Sequence, residues 1–147
     1  MSPREQIYQA LFARGLVAAG FVTSGRRLKH IEELDAASFP AFYQYQVEEQ
    51  WSQTAGNLPP VGSWRVEWWV YVQSGDDTAP HSSQLNPLVD ALCASLGLPP
   101  AFSAAPTGGQ TLGGLVTSVQ LDGPIQYAEG VLGDRAFAKI PLLLKVA

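Results

Sequence analysis

The sequence predicts an α+β fold: a mixed, mostly antiparallel sheet with two helices packed on one face. Two observations point there. One segment near the N-terminus and one in the middle repeat apolar residues at spacings of three and four, as helices buried along one stripe do. The segments between and after them alternate apolar and polar residues, as strands do. The order reads α-β-β-β-α-β-β-β, and residues 1–147 fit a single domain with a substantial core.

The first element opens on "SPRE". Ser2 suits a helix cap, Pro3 the first helical position, and Glu5 a capping box. Tyr8, Leu11, Phe12, Gly15, Leu16 and Ala19 share one face, so a helix is expected from Pro3 to about Ala18, with Gly20 ending it. "FVTSGRRL" (Phe21 to Leu28) reads as a short strand. "PAFYQYQVEEQW" (Pro40 to Trp51) sets Ala41, Tyr43, Tyr45 and Val47 against Phe42, Gln44 and Gln46, a second strand. The loop Gln50 to Ser63 should project as an arm between two long strands.

The third strand, "SWRVEWWVYVQ", holds three of the four tryptophans. Trp64, Val66, Trp68, Val70 and Val72 share the face expected to meet the helices. Arg65, Glu67, Trp69, Tyr71 and Gln73 share the other, open face. Bulky Trp69 and Tyr71 there should form a ladder with Tyr43 or Tyr45, or meet another subunit.

The second helix sets Leu85, Leu88, Leu92 and Leu96 on one face. It starts at Asn86-Pro87 or earlier, at Ser82 or Ser83, and ends at Gly97 before Pro99-Pro100. A long loop poor in charge, Pro99 to Gly114, follows; such loops are usually functional or mobile. Three strands complete the chain: Leu115 to Leu121, "IQYAEGV", and "RAFAKIPLLLKV", in which Pro141 demands an edge or a bulge.

Charged residues make up 15% and the net charge is −4. An acid excess disfavours a sequence-reading nucleic-acid binder, and the basic run "RRLKH" is followed at once by Glu32, Glu33 and Asp35. Cys93 is the one cysteine, so no intramolecular disulfide forms, and a reducing cytoplasm fits. Neither a signal peptide nor a membrane span is expected.

Candidate chemistry is sparse. A zinc site from His30, His81 and Cys93 is conceivable, against a bland reading of two surface histidines and one packed thiol. Cys93 sits mid-helix among apolar neighbours, which raises a thiol pKa and does not activate it. "EGVLGD" offers Glu129 and Asp134 as a carboxylate pair, or simply a tight turn. "PTGGQTLGG" (Pro106 to Gly114) lacks the ending of a phosphate loop. No catalytic residue, metal site or cofactor is expected, and an enzyme is not favoured.

In chain order, "REQIYQALFAR", "RRLKH", "PAFYQ", "NLPPVGSWRVEWWVYV", "LNPLVDAL", "QTLGGLV" and "EGVLGDRAFAKIPL" resemble the small tail-terminator proteins of long-tailed bacteriophages and prophages. The resemblance runs from Arg4 to about Leu144; the order of elements carries it. The "PPAFSAAPTGG" loop looks like an elaboration. The resemblance implies a structural protein that forms a ring, commonly a hexamer, on the head-proximal end of the tail tube. Such a ring stops tube polymerisation and forms the joint to the head-side connector. Its implied partners are further copies of itself, the tail tube protein and the connector or stopper protein. DNA crosses the lumen without being read, and the place of action is the virion tail or neck, assembled in the host cytoplasm. The expected subunit interface is Trp69, Tyr71, Arg65, Glu67, Tyr43 and Tyr45. The expected contact loops carry Trp51, Asn57, Leu58, Phe102, Thr107 and Gln110. Another head–tail neck ring, or a small-molecule-binding or enzymatic α+β domain, remains the alternative.

Overall fold

The computed structural model describes residues 2–53, 56–75, 78–99 and 111–147. The chain has the α+β fold its patterning predicts. Helix α1 (Pro3–Leu16) is followed by strands β1 (Thr23–Gly25), β2 (Ala41–Ser52) and β3 (Val61–Gln73). Helix α2 (Ser82–Ser95) precedes β4 (Ser118–Leu121), β5 (Gln126–Leu132) and β6 (Arg135–Val146). The strands run β1-β2-β3-β6 across the sheet, and β4 and β5 both pair with the far edge of β6. Only the β1–β2 pair is parallel among these ladders.

β3 is the centre of the sheet. It pairs with β2 from Val61 to Tyr71 and with β6 from Gly62 to Gln73. Its Trp64, Val66, Trp68, Val70 and Val72 line one face, with Leu144, Leu142, Ile140, Ala138 and Ala136 of β6 opposite them. All ten are buried in the main core with Ile7, Tyr8 and Leu11 of α1 and Leu85, Val89, Leu92 and Cys93 of α2. Both helices therefore sit on the Trp64/Trp68 face.

A polar bridge fixes α1 against the sheet. Gln44, itself buried, accepts from the Trp68 indole N–H at 3.0 Å and donates to the Tyr8 carbonyl at 2.9 Å. Both ends of its amide are thus used, as a buried amide requires. Gly15 marks the closest approach of α1 to the sheet. A Cβ there would lie 2.4 Å from Phe42 Cζ and 3.1 Å from Trp68. Phe42 is itself packed between Phe12, Phe21 and Trp68, so its ring has nowhere to go.

Several boundaries shift from those expected. α1 stops at Leu16, with Val17 as its cap, so Ala19 lies beyond the helix and Leu16 is exposed. Ser2 does cap it, accepting from Glu5 N–H at 3.1 Å, but the Glu5 carboxylate engages Arg26. α2 takes the earlier of its two possible starts and contains Pro87. The reason is tertiary: Glu129 of β5 accepts from Ser82 N–H at 2.8 Å and caps the helix from outside. At its other end Gly97 adopts φ 71°, with Leu98 N–H bonded to Cys93 O and Gly97 N–H to Ala94 O, a Schellman closure.

β6 is not an edge strand overall, but at Pro141 its outer side has no strand partner among the described residues, the local edge expected there. β6 is paired on both sides, but its outer partner changes there. β4 faces Leu142 to Lys145, and β5 faces Arg135 and Phe137 to Lys139. The missing N–H of Pro141 falls at the seam, where only its carbonyl is used, by Asp122 N–H at 2.9 Å.

Gly15→Ala should destabilise the chain by about 1–3 kcal/mol through overpacking, although alanine is the better helix former. Urea denaturation measures it; an unchanged or raised midpoint would show that α1 can retreat from Phe42 at no cost.

Candidate functional site

The face of the sheet away from the helices is divided in two, and the division decides which of its side chains are exposed. At the end formed by the C-terminal half of β3, the chain covers its own sheet. Residues 28–39 cross it with 3-10 turns at Ile31–Glu33 and Ala36–Ser38. His30 caps the first turn, its Nδ1 accepting from Glu32 N–H at 3.3 Å, while the Glu33 carboxylate accepts from His30 N–H. Ile31 and Leu34 then meet Ala41, Tyr43 and Tyr71 in a second buried core, with Leu28, Phe39, Trp69 and Phe137 packed around it.

Two sheet side chains hold this cover down. Tyr71 donates its hydroxyl proton to the Lys29 carbonyl at 2.7 Å. Arg135 donates to the Ile31 carbonyl at 2.8 Å and places its guanidinium 4.9 Å from the centre of the Phe39 ring. Burial, then the neighbouring Tyr43 and Glu33, push the Tyr71 pKa well above that of an ordinary phenol. Tyr43 and Tyr71 are 1% and 3% exposed, so neither is available as a subunit-interface residue: the chain's own residues 28–39 occupy that place. Trp69 is half-buried, its ring 5.3 Å from Phe137 and its indole N–H bonded to Glu67 at 3.2 Å.

Between the cover and the sheet an open pocket of about 320 Å³ remains, lined by Leu28 to Ile31, Trp69, Tyr71 and Phe137. Its floor is aromatic. Lys139 reaches to within 5.8 Å of the Trp69 ring centre and pairs with Glu67 at 3.6 Å.

No described residue covers the other half of this face. Arg65 bridges Glu48 at 2.9 Å and Asp122 at 3.0 Å, and all three are at least partly exposed. Exposed pairs of this kind contribute little to stability, at most about 1 kcal/mol each. They do fix side-chain positions on an open surface. Tyr45 and Val47 stand beside them, 44% and 43% exposed.

The arm between β2 and β3 differs from the loop expected at Gln50 to Ser63. Both strands run further, pairing as far as Ser52 and Val61, so the arm is mostly a hairpin. A register shift between Gln46 and Glu48 reverses the alternation of β2 beyond Val47. Glu49 and Trp51 consequently face the helix side. Glu49 there pairs with Arg4 at 2.9 Å and accepts from the Tyr8 hydroxyl, and Trp51 packs edge-on against Trp64 at 5.9 Å. Trp51 is therefore a strand residue on the core's margin and not a loop anchor. Asn57 and Leu58 are exposed in the connection, Leu58 at 67%. Phe102, Thr107 and Gln110 lie outside the described residues, as does most of the Pro99 to Gly114 loop.

The candidate chemical groups are not brought together. His30 lies on the covered open face, whereas Cys93 lies in the helix-side core, so the sheet separates two members of the conceivable zinc site. Burial and the nearby Asp90 push the Cys93 thiol up to about 11, away from thiolate chemistry. Among the described residues no cluster of three His, Cys, Asp or Glu is placed to hold a metal. Glu129 caps α2, and that backbone hydrogen bond holds its pKa below the usual carboxylate value. Asp134 accepts from Gln73 at 3.0 Å in the β5–β6 turn. Each carboxylate thus has its own structural partner. No protein-family model matches the chain, and no curated protein matches it.

Sequence reasoning missed residues 28–39 as a cover. Their signal was the apolar triad Leu28, Ile31 and Leu34, hidden among charges.

Tyr71→Phe should cost about 0.5–1.5 kcal/mol, the worth of the lost hydrogen bond. It should also change the alkaline limb. Folding raises the Tyr71 pKa, so its stabilisation is complete below the unfolded value of about 10 and is lost as pH rises towards the folded one. Urea midpoints at neutral pH and above about pH 10 should fall less steeply in the variant than in the parent. Equal slopes would remove Tyr71 from the alkaline transition.

Proposed function

We propose that the chain is the subunit of a ring that caps the head-proximal end of a phage tail tube and joins it to the head-side connector. One observation carries this reading beyond the sequence resemblance: exposed apolar side chains gather on the β2–β3 hairpin. Tyr45, Val47, Leu58 and Val61 all lie there, each 42–67% exposed, while Trp51 faces the helix side. A row of apolar side chains along one projecting element is a mark of a protein–protein contact. The hairpin also adjoins the uncovered, polar half of the open face, so a contact made there has an apolar centre and a charged margin of Arg65, Glu48 and Glu67.

In this ring each copy presents its hairpin and uncovered half-sheet to one neighbour and a different surface to the other, the heterologous arrangement that closes a ring. Arg65 and Glu67 remain interface residues in this reading, with Tyr45; Trp69 contributes its exposed edge. The acidic chain suits a lumen that lets DNA pass, because a basic wall would gain affinity for every phosphate. A catalytic domain would instead need Glu129 or Asp134 in a pocket, and neither lines the aromatic one.

Purified chain added to polymerising tail-tube protein should bind one end of each tube and arrest its growth, with electron microscopy recording tube lengths and end density. Replacing Tyr45 and Val47 together by serine should weaken capping at least tenfold while leaving the melting temperature within a few degrees, since both side chains are 43–44% exposed and outside the buried cores. Tubes that lengthen unchecked, with no density at either end, would overturn the proposal.

A further inference from the structure

We infer that the tip of the β2–β3 hairpin, Asn57 to Pro60, seats in the aromatic pocket beside Trp69 of a neighbouring copy. The proposal rests on the ring reading for one point only, that copies associate; it adds which surface meets which.

The pocket has the chemistry of a proline-binding groove. Trp69, Tyr71 and Phe137 form its floor, with ring centres 5.3–6.4 Å apart, and Leu28 forms a side. At about 320 Å³ it is large enough for one or two side chains. Aromatic-lined grooves recognise extended Pro-containing segments, because such segments are already stiff and lose little entropy on docking. Among the described residues one such segment lies on an exposed hairpin. "NLPP" at Asn57 to Pro60 is exposed throughout and leads into β3.

The charges agree. The tip and its flanks from Trp51 to Trp64 hold no ionisable side chain, so docking buries no charge of its own. Pro59 and Pro60 lack N–H groups, which leaves the tip a run of carbonyl acceptors. The pocket rim offers the complement: the exposed Lys29 ammonium, which has no ion-pair partner among the described residues.

Geometry excludes the chain's own hairpin as the occupant. Val61 and Trp69 lie on one continuous strand, and eight steps of about 3.3 Å put the root of the hairpin roughly 25 Å from the pocket. The tip extends further away still. Knob and hole therefore sit at opposite ends of the same sheet face, and a second copy placed head to tail brings them together. Repetition of that contact gives a ring if the rotation closes.

Two measurements test this. In the first, the full chain carrying Leu58→Asp is titrated with the peptide GNLPPVG, the sequence of Gly56 to Gly62, and followed by NMR. The expected result is saturable shifts of the Trp69 indole N–H and the Ile31 amide, with the Trp64 and Trp68 indoles unmoved. Lys29→Glu, an exposed change, should weaken the peptide at least threefold. No shift at millimolar peptide, or shifts centred elsewhere, would overturn the inference. In the second, sedimentation compares Leu58→Asp and Trp69→Ala chains, alone and mixed. Each alone should associate at least tenfold more weakly than the parent, and the mixture should form one-to-one pairs, because it retains one intact tip and one intact pocket. If Trp69→Ala does not fold, Lys29→Glu takes its place. Parental association in both variants would overturn the inference and leave the ring reading standing. A parent chain that stays monomeric even on tail tubes would overturn the ring reading and this inference together, whereas parental association in both variants overturns this inference alone.

Discussion

Most of the molecule follows from the position of β3. It is hydrogen-bonded along both edges, to β2 and to β6, nearly from end to end. A strand so placed cannot shed bulky side chains at an edge, so each of its faces must be resolved by packing or left to solvent. The helix-side face is resolved along its whole length by α1 and α2 over Trp64 and Trp68. Among the described residues, the opposite face is covered at one end, where residues 28–39 close over Tyr71. Everything that makes the open surface distinctive lies beyond that cover: the Glu48–Arg65–Asp122 bridge, the exposed Tyr45 and the hairpin tip.

Short polar links hold the layers in register. Gln44 ties Trp68 to the backbone of α1, and Tyr71 ties β3 to the backbone at Lys29. Both join an aromatic residue of the central strand to a main-chain carbonyl of a covering segment. An unpaired buried polar group costs about 1–3 kcal/mol, so these links select one placement of each cover over its near alternatives. The same strand thus sets the sheet, the position of α1 and the boundary between closed and open surface.

Period-two alternation made the faces of β3 and β6 legible in the sequence, and β6 spans the residues expected of it, Arg135–Val146. The end of α2 was legible too, because Gly97 and the prolines after it act locally. What was not legible depends on distant residues. The start of α2 is set by Glu129, 47 positions away. The facing of Trp51 is set by a one-residue register shift in β2, which alternation alone cannot locate. Tyr43 and Tyr71 read as open-face aromatics because the segment covering them is short, irregular and charged on its outer side. Of the expected interface set, Arg65, Glu67 and Tyr45 remain on the uncovered half-face, and Trp69 stands at the pocket's edge.

The chain closes one half of this sheet face itself; in the proposed ring the other half meets a neighbouring copy. Amide hydrogen exchange, compared between free chain and chain bound to tail tubes, addresses that division most directly. Assembly should slow exchange at Tyr45 to Val47 and at Asn57, Leu58 and Val61, and leave Val70 to Val72 unchanged, since those amides are already protected in the single copy. Protection confined to the outer surfaces of α1 and α2, with the hairpin exchanging as fast as before, would contradict it.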